Sequence, residues 1–366
     1  MDSRSHELTS YRAFFIFFAI SAVLHGIWLG TFGLIDQKLW ADQAFYVQTG
    51  DSRQYDPKLA YIPPGGPTIE GTIAIHALGF PYETAGMVFQ VAFDSLIIAG
   101  IATIAGALFP GSLWGWILAF TLPFNRLIEA STPPSLSVSL LAVFIFVLSI
   151  RIVRDRRGLS KNAWLLWGSA SGLAISLRPE DGVLICAAFG IGILAASGWR
   201  KAWKRSLLGA ASALAAFWAT DPFMWKIPLK HISDVIHKVE LFHGPAQSLS
   251  IQASPFNVMV ISCLALISIA LAIIQTVSCP KTESFVPRSL LISALSMTAV
   301  LFIIVLTSKY QPPRYLLPAV FIWESLLPAY LVYYLARIKP LDLRSAGYIA
   351  AFIAFAFQAA AFYAIF

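Results

Sequence analysis

The sequence predicts an all-α, polytopic membrane protein, and three observations carry that prediction. Of 366 residues, 58% are hydrophobic and 12% charged, against about 25% charged in a soluble chain, and the mean hydropathy is +0.72. Apolar runs near the roughly 20 residues that cross a bilayer recur along the whole length. The charges between those runs are sorted by loop. No repeat, low-complexity tract or soluble-domain-sized segment interrupts the pattern, so residues 1–366 read as one transmembrane domain.

Taken in order, eleven segments qualify or nearly qualify as spans: 11–35, 85–109, 112–129, 132–150, 162–177, 180–197, 206–221, 255–277, 289–306, 315–336 and 346–365. The first is too long for a signal-peptide core and lacks a small-x-small cleavage site, which predicts an uncleaved span. Of the three cysteines, Cys186 and Cys263 fall in apolar runs and Cys279 in a short loop. Their spacing suits neither a metal site nor a disulfide framework, and they read as packing residues.

Loop charge sets the orientation, because cytoplasmic loops collect Lys and Arg. Arg151, Arg154, Arg156, Arg157 and Lys161 form one basic loop; Arg200, Lys201, Lys204 and Arg205 form a second; Arg337, Lys339 and Arg344 form a third. With a cytoplasmic N-terminus all three fall inside. The net charge of +7 therefore reads as orientation and contact with anionic lipid, not as a nucleic-acid surface. The loops left for the outer face mix carboxylates, cations, histidines, aromatics and prolines. They are 36–84, the junction Leu177–Asp181, the stretch 221–254 and Ser308–Tyr315.

These outer loops hold the candidate chemistry. In the first, Asp42 and Tyr46 are four residues apart and share one face of a short helix. Trp40 and Phe45 make that helix amphipathic and interfacial, where a partly desolvated carboxylate would suit a general base. Lys58 and Tyr61 follow, and Pro63-Pro64-Gly65-Gly66-Pro67 turns the chain back. Arg178-Pro179-Glu180-Asp181 occupies a junction with hardly any loop to spare. Its simpler reading is a tight turn with an internal ion pair, its functional one an arginine that grips a phosphate. In the loop from Asp221, Trp225 and His231 are candidates, while Lys230, Asp234 and Lys238 at helical spacing also suit a solvated amphipathic helix. His231, His237 and His243 recur every six residues, which is not a helical metal-ligand spacing, so no metal site is proposed there. Lys309, Arg314 and Tyr315 end the outer set. They could form an anion site with Arg178, or serve as belt aromatics with snorkelling cations. Inside the spans, Asp94 and Glu129 stand out, and an interhelix hydrogen bond to Ser or Thr accounts for Asp94 equally well.

In their order along the chain these motifs resemble the GT-C membrane glycosyltransferases, in the branch of polyprenyl- or dolichyl-phosphate-sugar-dependent protein mannosyltransferases and lipid A glycosyltransferases. The matching residues are Asp42 with Tyr46, Pro63-Pro64-Gly65, Arg178-Pro179-Glu180, the run from Asp221-Pro222-Phe223-Met224-Trp225 to His231, and Arg314-Tyr315-Leu316-Leu317-Pro318. Many relatives carry two adjacent acids where this chain has Asp42-Gln43. The resemblance implies a GT-C-like fold of about eleven spans, with interfacial helices in the first outer loop. It also implies inverting transfer of a sugar from a polyprenyl-phosphate carrier to a glycan, lipid or protein acceptor at the outer face of the plasma membrane. Asp42 would be the base; Arg178, Lys309 and Arg314 would face the phosphate; Tyr46, Tyr61 and Trp225 would stack on the sugar. Lys58, Glu180, Asp181, Asp221, His231 and Tyr315 complete the expected substrate-binding set. No cofactor is expected, although Asp42 with Asp51 or Glu180 would be the place for a divalent ion. The rival class is a transporter or flippase of lipid-linked sugars, which calls for polar or broken helices near the midplane and internal pseudo-symmetry.

Overall fold

The computed structural model describes residues 3–32, 82–108, 114–124, 133–155, 161–221, 263–278, 286–307 and 313–338, with short pieces at 224–225, 228–230, 232–233, 236, 345, 348–349 and 352. Among the described residues the fold is helical, without a strand. The helices are α1 (Ser3–Phe32), α2 (Tyr82–Leu108), α3 (Trp114–Thr121), α4 (Pro133–Arg154), α5 (Lys161–Leu177), α6 (Pro179–Ser197), α7 (Trp199–Thr220), α8 (Cys263–Ser278), α9 (Arg288–Thr307) and α10 (Leu317–Ile338). Short 3-10 turns lie at Leu122–Phe124 and Pro313–Leu316.

Three of these helices contain windows long and apolar enough to cross a membrane: Leu136–Arg154, Pro179–Ser197 and Arg288–Val305. Their outward faces carry Val183 and Ile191 on α6 and Phe302 and Ile303 on α9, all exposed. Apolar faces of this kind suit contact with lipid. The 67% of the α4 window that is buried, against 33% for α6 and 39% for α9, makes α4 the central helix. Around it pack α2, α5, α6 and α10.

The expected span at 112–129 takes another form. Its helix, α3, has eight residues, about 12 Å at 1.5 Å per residue, too short to cross. Pro123 disfavours helical backbone at Leu122 and lacks the N–H that a continuing helix needs. The helix accordingly ends at Thr121 and tightens into the 3-10 turn Leu122–Phe124. Two other boundaries move. The second basic loop is the opening of α7, which begins at Trp199 and carries Arg200 to Arg205 in its first two turns; Arg151 and Arg154 likewise belong to the last turn of α4.

The closest helix pairing is between α5 and α7, which run parallel because α6 returns the chain between them. Gly168 and Gly172 of α5 lie directly on the α7 backbone. A Cβ at Gly168 would overlap the carbonyl oxygen of Gly209, and one at Gly172 that of Ala213. This is small-x-x-x-small packing, in which the missing side chains let two backbones approach where lipid offers no hydrophobic driving force. Serines lock the register. Ser169 and Ser212 share a 2.8 Å hydroxyl bond, Ser212 donates to the Leu165 carbonyl at 2.9 Å, and Ser176 donates to the Thr220 carbonyl at 3.0 Å. On its other side α5 is tied to α4 by the indole of Trp167, which donates to Ser149 at 3.0 Å.

These pairings also fix which helix ends lie together. The last turn of α5 adjoins the last turn of α7 through Ser176 and Thr220. Towards the opposite end Trp164, in the first turn of α5, packs on Gly209 in the middle of α7, so the first turns of both helices point to that end. Gly192, late in α6, lies on Leu290 and Ser293, early in α9, so α9 also begins at that second end. Arg151 and Arg154, Lys161, Arg200, Lys204 and Arg205, and Arg288 therefore gather at one end of the bundle. The junction at Arg178 lies at the other.

Candidate functional site

Arg178 is the single residue between α5 and α6. Proline at the next position excludes helical backbone for it, and Arg178 is extended, with φ −148° and ψ 95°, while Pro179 opens α6. Both helices still use its backbone. Its N–H donates to the Ala174 carbonyl at 3.0 Å, and its carbonyl accepts from the Gly182 N–H at 2.8 Å. The corner is tight, since a Cβ at Gly182 would overlap the backbone at Ala174 and Ile175.

Arg178 at this corner is only 9% exposed, and Asp181, Glu180 and Tyr315 lie against its guanidinium. Nη1 lies 3.2 Å from Oδ2 of Asp181, and Nη2 lies 3.6 Å from Oε1 of Glu180. From 137 positions further along the chain, Tyr315 places its ring 4.1 Å from the guanidinium carbon and accepts a hydrogen bond from the arginine. Burial works against the cation, but Asp181, Tyr315 and Glu180 more than offset it and hold its pKa above the usual arginine range. The arginine is charged at every working pH.

Two more of the expected residues lie at this end. Asp221 terminates α7, is 1% exposed, and receives the Met224 N–H on its carbonyl at 3.1 Å. The Ser176–Thr220 bond sets it beside the last turn of α5. Trp225 is exposed and its indole donates to the Trp218 carbonyl. Beyond it the described residues at 228–230, 232–233 and 236 are helical, and Leu229, Ile232 and Ile236 are exposed along with Trp225.

Arg178, Glu180, Asp181 and Tyr315 are thus brought into contact, and Asp221 shares their end of the bundle. Asp42, Tyr46, Lys58, Tyr61, His231 and Lys309, with Glu129, lie outside the described residues. Arg314 falls in the turn Pro313–Leu316, but its side chain is outside the described set. The simpler alternative for Arg178, an internal ion pair in a tight turn, is present. Two carboxylates and a phenol already engage the guanidinium, so an incoming phosphate must displace one of them or find its positive charge elsewhere.

Two buried ionisable groups add to this picture. Asp94 on α2 is bonded to an imidazole: its Oδ2 lies 2.9 Å from Nε2 of His25 on α1, with both side chains fully buried. A histidine inside the apolar run Val23-Leu24-His25-Gly26-Ile27 was the available signal, and reading each span separately passes over it. Glu324 on α10 is 3% exposed, and its sequence signal is a lone acid in the apolar run Phe321–Leu327.

The class that fold and composition define is an all-helical membrane protein. Comparison with protein-family models and with curated proteins returned no match, so the activity has to be argued from the residues themselves.

Proposed function

We propose that the protein is an inverting glycosyltransferase that moves a sugar from a polyprenyl-phosphate carrier to an acceptor at the membrane surface, with Asp42 as general base. The observation that supports this reading most is the seating of Tyr315 on Arg178. The Arg-Pro-Glu junction and the late Arg-Tyr-Leu-Leu-Pro element are two motifs of the resemblance far apart in the chain, and they meet. Buried charge is expensive near a membrane and is kept where it is used.

In this reading the acceptor hydroxyl or amine gives its proton to Asp42 as its heteroatom attacks the anomeric carbon. The bond to the carrier phosphate breaks and the phosphate leaves with the electron pair. Positive charge must meet that leaving group. Since Arg178 is already engaged by Asp181 and Glu180, Lys309 and Arg314 take the phosphate, and Arg178 holds Tyr315 and the corner in place. The test is sugar transfer by the purified protein in nanodiscs with a panel of polyprenyl-phosphate sugars. Asp42→Asn keeps the shape, removes the base and should reduce turnover about a hundredfold or more. Equal turnover by parent and variant would remove Asp42 from that role.

The transporter reading has one observation in its favour, the His25–Asp94 pair. Intramembrane ionisable pairs mark proton relays and substrate paths. A flipping assay with a fluorescent polyprenyl-phosphate sugar, comparing the parent with Asp94→Asn, separates the two. Flipping that depends on Asp94 without any transfer activity would favour transport.

A further inference from the structure

We propose that the first two turns of α7 form a binding site for an anionic phospholipid headgroup, at the end of the bundle opposite Arg178. The turn into α7 is made at Gly198, whose φ of 80° is the one positive value among the described glycines, a backbone that suits glycine alone. It brings Trp199 to the first position of the helix, 65% exposed, with Trp203 one turn later, 42% exposed. Arg200 and Lys204, also one turn apart, are both exposed, and Arg205 is half-buried. At this spacing the indoles and the cations form adjacent rows on one outward side. Lys204 Nζ stands over the Trp203 ring, 5.6 Å from its centre, which holds a cation against an indole.

Each part of this arrangement matches a part of an anionic lipid. Indoles settle at the headgroup level, where one edge is wet and the ring apolar. Cations beside them meet the phosphate. Below them Leu207 and Leu214 continue the exposed apolar face of α7 as far as Trp218, about 22 Å from Trp203 along the helix, and offer the acyl chains a track. Charge complementarity selects the occupant. Across the adjoining ends of α4, α5 and α9 the described charges are Arg151, Arg154, Lys161 and Arg288, against the single acid Asp155. A protein partner would need a strongly acidic, apolar-lined groove to match the same rows, whereas a phosphatidylglycerol molecule carries both features at once. The site is independent of the proposed transfer reaction.

The test uses the full-length chain, delipidated in neutral detergent and titrated with phosphatidylglycerol or chain-matched phosphatidylcholine, with bound lipid read by native mass spectrometry. The parent should hold phosphatidylglycerol at least about tenfold more tightly, and added salt should erode the preference. Each cation at an anionic surface strengthens association about fivefold, so the triple variant Arg200→Gln, Lys204→Gln, Arg205→Gln should lose about tenfold or more for phosphatidylglycerol and keep its phosphatidylcholine binding. The charge-retaining pair Arg200→Lys, Arg205→Lys should bind as the parent does, which separates lost charge from lost fold. A parent without preference overturns the proposal. So does a triple variant that keeps the preference while Arg151→Gln, Arg154→Gln, Lys161→Gln loses it.

Discussion

At the Arg178 end of the bundle Arg178, Asp181 and Asp221 are withdrawn from solvent, whereas at the end where α7 begins Arg151, Arg154, Lys161, Arg200 and Lys204 are exposed. The difference has an energetic meaning. Long cations at a membrane edge reach water by extending and are cheap to keep, but a buried guanidinium persists only where every partner is placed correctly. The exposed end therefore tolerates change in its individual charges, and the buried end does not. Gly168 and Gly172 lie along the α5–α7 contact that joins the two.

Substitutions should reproduce that asymmetry. The largest effect is expected for Arg178→Ala, which leaves the Asp181 carboxylate, 1% exposed, without its cation; breaking a buried pair from one side costs about 3–5 kcal/mol. Unfolding in mixed micelles measures it, and a loss below about 1 kcal/mol would mean that the buried end is no more sensitive than the exposed one. The raised pKa of Arg178 adds a pH test. Its stabilisation is complete below the ordinary arginine range and fades only as pH rises through a value above that range. The stability gap between parent and Arg178→Ala should therefore stay level as pH rises from neutral to moderately alkaline.

Gly172→Ala comes next. The new methyl group meets the Ala213 carbonyl, α5 and α7 must separate, and about 1–3 kcal/mol is lost. An unchanged unfolding midpoint would show that the helices are not held by close backbone contact. Tyr315→Phe keeps the ring over Arg178 and removes only the hydroxyl that the guanidinium bonds, for about 1.5–3 kcal/mol at most. The further drop in Tyr315→Ala then measures the ring itself, about 0.5–2 kcal/mol. Smallest is the pair Arg200→Gln and Lys204→Gln, whose exposed side chains should leave stability within about 0.5 kcal/mol while reducing phosphatidylglycerol binding.

Several elements were legible in the sequence because they depend on near neighbours. The break between α5 and α6 follows from Pro179, and the span-length helices follow from uninterrupted apolar runs. Within the third expected span the helix ends at Thr121 for an equally local reason, Pro123. The Gly168–Gly172 spacing was also in view, but its partner stripe at Gly209 and Ala213 lies in another helix. For the candidate site, a junction holding Arg178, Glu180 and Asp181 could be singled out from its charge. Tyr315 could be grouped with it as part of one anion site, but the lie of its ring over the guanidinium could not be read.

The sequence by itself determined that this chain is helical and built for a membrane, that α5 and α6 part at Pro179, and which junctions carry charge, because hydropathy and proline act over a few residues. Only the tertiary structure decided that the Tyr315 ring lies on Arg178, that His25 answers Asp94, and that Gly168 and Gly172 meet the α7 backbone. Those pairings depend on how helices distant in the chain rotate and slide against one another. The small-residue contact between α5 and α7 sets part of that geometry, and it becomes visible only when both helices are seen together.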